Sequence, residues 1–287
     1  MEGLFRACYT YGRLIKLSHT IFALPFALSA VILANRTVPV TPRTLFWILV
    51  AMVSARSTAM GFNRWADRVY DKMNPRTANR PSVTGAISPR ALVTLIVTSG
   101  ATFVLSARML GNLCFLCSFP VLGVLIGYSY TKRFTKWCHL CLGFAIGLAP
   151  TGAWIAVTNG FDFRIVFLSI ALMTYIAGFD ILYACLDVEF DRKVGLFSLP
   201  ATLGVERALR ISAIIHGVTF ISLLIVGILF KLSIPYYTCT LLIGVLLVLE
   251  HRMVKPNDLS KVPIAFYHVN SAVSVLLFLG VFLESVI

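Results

Sequence analysis

Charged residues are scarce in this sequence: Asp, Glu, Lys and Arg together make up 13% of 287 residues, and only 12 of them are acids. A soluble domain carries about a quarter. That shortage excludes an ordinary soluble fold, because too few charges remain to cover a water-facing surface. No cleavable leader is expected either. The first apolar stretch, 17–34, is too long for a signal h-region, no small-residue cleavage site follows it, and it reads as a membrane helix. No basic stripe lies on a soluble face, so the net charge of +13 does not make nucleic acid an expected partner. Nor do the seven cysteines demand a disulfide framework.

What is abundant is hydrophobicity, at 58% of residues. Apolar runs of membrane-spanning length fall at roughly 17–34, 43–62, 91–107, 112–130, 138–157, 164–185, 208–230, 234–250 and 265–286. They predict an all-α, polytopic membrane helical bundle of about nine transmembrane helices, with 1–287 forming a single domain in a lipid bilayer. Pro25, Pro120 and Pro150 sit inside runs, where they are expected to kink or locally unwind a helix. With the N-terminus cytoplasmic, 19 of the 25 lysines and arginines fall on the inside, five on the outside, and Arg56 within the second helix. This bias sets the orientation. A bacterial cell (inner) membrane is the expected location. The loops after the second and sixth helices (63–90 and 186–207) are the longest, carry most of the acids and face the same side. Helices 1–4 and 5–8 are accordingly expected to be related halves, with the ninth added.

The first loop begins Asn63-Arg-Trp-Ala-Asp67-Arg-Val-Tyr-Asp71. At about 100° per residue, Asn63, Asp67 and Asp71 share one helical face. The second stretch, Asp180-Ile-Leu-Tyr183-Ala-Cys-Leu-Asp187-Val-Glu-Phe-Asp191, aligns Asp180, Tyr183, Asp187 and Asp191 in the same way. Carboxylates gathered near lipid repel one another and are costly, unless a cation joins them. Oxygen ligands suit Mg²⁺, which is commonly shared between carboxylates and substrate phosphates. Arg76, Arg80, Lys132, Arg133 and Lys193 can complete an anion site. Asp180 lies inside an apolar run, and Arg56 precedes Asn63 by seven residues on the same face, so both are functional candidates.

At these residues the sequence resembles the UbiA superfamily of membrane prenyltransferases. The supporting text is Asn63-x₃-Asp67-x₃-Asp71, Arg76-Thr-x-x-Arg80-Pro81 with Gly85, and Asp180-x-x-Tyr183-x₃-Asp187-x₃-Asp191 with Gly195, Ser198 and Pro200. The nine-helix count is similar too, so the resemblance covers the whole chain. Arg64 stands where the family often has Asp, which makes Asp187 and Asp191 the stronger half. The resemblance implies that Asn63, Asp67 and Asp71 hold Mg²⁺ and diphosphate on one side, and Asp187 and Asp191 on the other. It implies that Arg56, Arg80, Lys132 and Lys193 bind phosphate oxygens and that Tyr128 or Tyr130 lines the pocket. Asp180 matches an acid that orients or deprotonates the acceptor. The expected reaction moves a polyprenyl group from a polyprenyl diphosphate to an aromatic acid. The second motif and Leu24-Pro25-Phe26 are most similar to the 4-hydroxybenzoate branch. A hydroxynaphthoate of menaquinone synthesis is the rival acceptor, and Arg56 and Lys16 are candidates to meet the carboxylate of either one.

Other patterns are weaker. Cys114-x-x-Cys117 and Cys138-x-x-Cys141 have zinc-ribbon spacing, but the expected helices set Cys117 and Cys138 about 20 Å apart by helical rise. His139, His216 and His268 read as polar contacts within the bundle, while His19 is a candidate for the acceptor pocket. A transporter or lipid-binding protein would set its key charges at membrane depth. Most acids here lie instead at one edge, beside phosphate-type bases. A diphosphate hydrolase is a further rival.

Overall fold

The structure is a computed structural model that describes residues 9–15 and 22–286. Among these residues every regular element is helical. Eight helices are long and apolar enough to cross a membrane, and a ninth, α1 (Leu24–Asn35), is apolar but shorter. The chain is a multi-pass membrane protein. Residues 17–21 of the expected first span, with Lys16 and His19, lie outside the described residues.

Two compact units divide the chain. The first draws on residues 1–20 and 42–130. Its helices are α2 (Pro42–Ala66), α3 (Arg68–Met73), α4 (Pro81–Thr84), α5 (Pro89–Leu110) and most of α6 (Asn112–Thr131). Small residues let α2 and α5 approach closely. Thr58 Oγ1 and Ser99 Oγ share a 2.8 Å hydrogen bond, and Gly61 sits against Ile96. Leu14, Ile87 and Leu92 form a buried apolar cluster below them.

The second unit draws on residues 21–41 and 131–287. It holds α1, α7 (Cys138–Thr158), α8 (Phe163–Ala184), α9 (Val188–Val194), α10 (Leu199–Leu203), α11 (Val205–Leu229), α12 (Ile234–Met253) and α13 (Asn270–Leu283). Neighbours close a ring: α1 packs on α7, α7 on α8, α8 on α11, α11 on α12, α12 on α13, and α13 on α1. A Cβ added at Gly143 of α7 would meet the Met173 carbonyl at 2.2 Å, so only glycine permits this approach to α8. Phe26 of α1 stacks on Tyr175 of α8, and Ser274 of α13 donates to the Phe22 carbonyl.

The structure corrects two expectations. The two acid-rich loops are largely helical. Asp67 N–H still bonds the Asn63 carbonyl and Asp71 N–H the Asp67 carbonyl, so helical hydrogen bonding outlasts the apolar stretch that marked the span. Pro25 stands in the first turn of α1 rather than inside it, where its missing N–H costs nothing. The helices run on through Pro120 and Pro150.

Candidate active site

In the first unit the end of α2 carries the acid-rich motif. Asn63 Nδ2 donates to Asp67 Oδ2 at 3.0 Å, which holds the two polar ends on one face as the spacing predicts. Asp71 lies in the first turn of α3 and is buried. Its Oδ1 pairs with Arg80 Nη1 at 2.6 Å, and its backbone carbonyl accepts from Thr77. Asp71 Oδ2 is buried without a hydrogen bond, with Arg64 Nη1 at 3.8 Å. Arg64 is itself buried and donates to Asn63 Oδ1 at 3.1 Å. Tyr128 of α6 lies within electrostatic reach of Arg56, Arg64 and Asp67. Tyr130 meets Phe62 edge-on. Arg76 points to the surface, its backbone N–H bonded by Asn74.

In the second unit α8 ends in a 3₁₀ turn, Cys185–Asp187, before α9. Asp187 is buried, and Asp191 has no solvent exposure. Lys132 Nζ stands 2.7 Å from Asp191 Oδ1, and Ser198 donates to Oδ2 at 3.1 Å. Gly195 makes this possible: its φ of 72° turns the chain out of α9, and Ser198 then caps α10. Phe197 N–H bonds the Lys132 carbonyl, fastening the lysine's backbone to the same loop. Burial works to lower the Lys132 pKa, but the facing Asp191 carboxylate outweighs it and the net shift is upward. The stability that the charged Lys132 contributes is therefore present at neutral pH and lost as pH rises through that raised value.

Asp180, on α8, is bonded by His139 of α7 at 2.7 Å through Oδ2. His139 Nε2 faces the Leu199 N–H at 3.4 Å. That contact makes Nε2 the acceptor and Nδ1–H the donor to Asp180. Tyr183 packs against the cluster of Leu182, Cys185 and Leu209. Lys193 is exposed, and Arg133 is half-buried.

Thus the first unit gathers Asn63, Asp67, Asp71 and Arg80, with Arg56 and Tyr128 nearby, and the second gathers Lys132 with Asp191. Arg76 and Lys193 lie at the surface. Three partners escaped sequence reasoning. Arg64 serves its motif as a hydrogen-bond donor, His139 fixes Asp180, and Ser198 fixes Asp191. The cysteines contribute to no cluster of three or more metal-type ligands among the described residues.

Chemically, the buried Asp71 and Asp191 are each matched with a base of the kind that binds phosphate. Asn63, Asp67 and Asp71, and separately Asp187 and Asp191, offer the hard oxygens that Mg²⁺ takes. The buried Asp71 Oδ2, without a hydrogen bond, is a donor suited to such an ion.

A polytopic helical membrane protein with two Asp-rich motifs at helix ends has the form of a membrane prenyltransferase. The model of the UbiA prenyltransferase family matches residues 23–279, and the chain belongs to that family. It is 30% identical over 249 residues to a 4-hydroxybenzoate octaprenyltransferase of Nitrosomonas eutropha, covering 86% of this chain and 85% of the relative. It is similar in structure to a UbiA homolog from Aeropyrum pernix K1, with 31% identity and a TM-score of 0.84 over 93% of this chain and 98% of that one. A UbiA homolog from Archaeoglobus fulgidus, solved bound to GPP and Mg²⁺, shares the fold at 22% identity and a TM-score of 0.69, over 93% of this chain and 99% of that one.

Proposed function

We propose that the chain, acting as one domain over 1–287, transfers a polyprenyl group from a polyprenyl diphosphate to 4-hydroxybenzoate. The observation that carries this reading is the pair formed by Lys132 and the fully buried Asp191. A buried ion pair adds little net stability over apolar packing, so its presence at the end of an apolar span argues for function. A diphosphate gives both partners new work, with the lysine turning to phosphate and the acid to metal. The pairs of Asp71 with Arg80 and Arg64 suit the same exchange. The fold relative with GPP and Mg²⁺, and the curated relatives named for 4-hydroxybenzoate, support the donor, the ion and the acceptor in turn.

In this reading Asn63, Asp67, Asp71, Asp187 and Asp191 hold Mg²⁺. When bound, Mg²⁺ supplies Lewis-acid stabilisation of the departing diphosphate. Arg56, Arg76, Arg80, Tyr128, Lys132, Arg133 and Lys193 bind diphosphate oxygens and stabilise the negative charge that grows as the allylic C–O bond breaks, its electron pair leaving with oxygen. The ring of the acceptor then attacks the allylic carbon to form the C–C bond. Asp180, its Oδ2 engaged by His139, takes the ring proton on Oδ1. Tyr183 flanks the acceptor. The positive-inside bias sets the N-terminus and both motifs on the cytoplasmic face of the cell membrane.

The test is a competition. Purified protein receives a polyprenyl diphosphate, Mg²⁺ and equal amounts of 4-hydroxybenzoate and a dihydroxynaphthoate, and products are read by mass spectrometry. Prenylated benzoate should dominate. A dominant naphthoate product would overturn the acceptor assignment. Diphosphate release with no prenylated product would overturn transfer itself.

A further inference from the structure

The second unit also contains a cluster whose side chains the proposed reaction does not use. His216 of α11 and Glu250 and His251 of α12 bring one ligand atom each to within 4.8 Å of one another. His216 Nδ1 stands 3.0 Å from His251 Nε2 and 3.5 Å from Glu250 Oε2. Ligands about 2.0–2.1 Å from a tetrahedral metal ion stand roughly 3.3–3.4 Å from each other, and the separations from His216 to His251 and to Glu250 bracket that value.

The surroundings orient two of the three donors. His216 Nε2 lies 3.2 Å from the Tyr175 carbonyl of α8, which makes it the N–H and leaves Nδ1 as a lone-pair donor. Asn270 of α13 donates to Glu250 Oε1 at 3.4 Å, so the other oxygen, Oε2, turns to the histidines. Glu250 has no solvent exposure, and Oε2 is buried without a hydrogen bond. A carboxylate oxygen left this way in an apolar bundle is costly, and a cation would satisfy it. Gly178 leaves the room: a Cβ there would meet the His216 ring at 2.2 Å. Tyr175 Oη in turn donates to the Asn270 carbonyl at 2.6 Å, tying the two outer supports together.

We infer that His216, Glu250 and His251 form a divalent transition-metal site, suited to Zn²⁺, that clips α11 to α12. Two imidazoles and one carboxylate are a donor set for zinc rather than for Mg²⁺, which prefers oxygen alone. The site is separate from the one proposed for diphosphate, so it can fail while that reading stands.

The experiment uses the full chain in detergent, freed of metal by a chelator and titrated with Zn²⁺ against a chromophoric competitor. The proposal expects one tight equivalent, and Co²⁺ in its place should give the intense visible bands of tetrahedral coordination. Glu250→Gln and His251→Gln should each weaken Zn²⁺ binding by at least about tenfold, and Asn270→Ala by roughly ten- to a hundredfold. The double variant Asp71→Asn/Asp191→Asn should keep the equivalent. Thermal melting of each variant without metal shows that it is folded. Zinc should raise the melting temperature of the parent but not that of Glu250→Gln/His251→Gln. No tight equivalent in the folded parent would overturn the proposal. So would an equivalent that survives Glu250→Gln/His251→Gln and disappears in Asp71→Asn/Asp191→Asn.

Discussion

Replacing Lys132 by Met removes the only cation within ion-pairing distance of Asp191 among the pairs described, leaving a carboxylate with no solvent exposure. Breaking one side of a fully buried pair costs about 3–5 kcal/mol. The Lys132 side chain is 35% exposed, so solvent already screens part of that attraction, and Ser198 keeps its hydrogen bond to Oδ2. The loss should therefore be nearer about 2 kcal/mol, or roughly 4–8 °C in melting temperature for a chain of this size. Adding Asp191→Asn removes the stranded charge while keeping an acceptor for Ser198, so the double variant should recover much of that loss. Turnover should not recover, because the proposed function gives the lysine and the acid separate duties toward substrate. Each single variant and the double should turn over at least about 100-fold more slowly than the parent. The assay pairs thermal melting in detergent with product formation. Lys132→Met melting with the parent, or the double variant regaining activity along with stability, would refute the reasoning.

Three other outcomes are expected. His139→Gln should lower kcat by about tenfold or more while leaving KM for the diphosphate unchanged, since His139 bonds Asp180, the proposed proton acceptor, and has no proposed contact with the donor substrate; a change confined to KM would contradict this. Gly143→Ala forces a Cβ against the Met173 carbonyl. It should destabilise the protein by about 1–3 kcal/mol, read as a drop in melting temperature, whereas Gly152→Ala, with open space around it, should not. Chelation of Mg²⁺ should abolish turnover reversibly yet leave the protein folded by circular dichroism, because Arg80 and Lys132 already neutralise Asp71 and Asp191.

The membrane spans were legible because a long apolar run has few alternatives to a helix, and the spacing of Asn63, Asp67 and Asp71 gave their shared face directly. Local hydrogen bonding confirms that face from Asn63 to Asp67. Long-range partners could not be read. His139 and Asp180 are 41 residues apart, and nothing in either helix's periodicity points to the other. Arg64 was read as a missing acid, but it is a buried donor to Asn63. A substitution table sees only the lost charge, whereas the fold shows a new bond. Nor does any spacing rule join His216 to Glu250 and His251, which meet only because α11 and α12 are neighbours around the ring.

In the proposed function both Asp-rich motifs are needed for prenyl transfer. The most direct test is the turnover of Asp67→Ala and of Asp191→Ala, each first shown to be folded, with polyprenyl diphosphate, Mg²⁺ and 4-hydroxybenzoate. The account predicts that each substitution alone abolishes prenylated product. Near-normal product from either variant would contradict it.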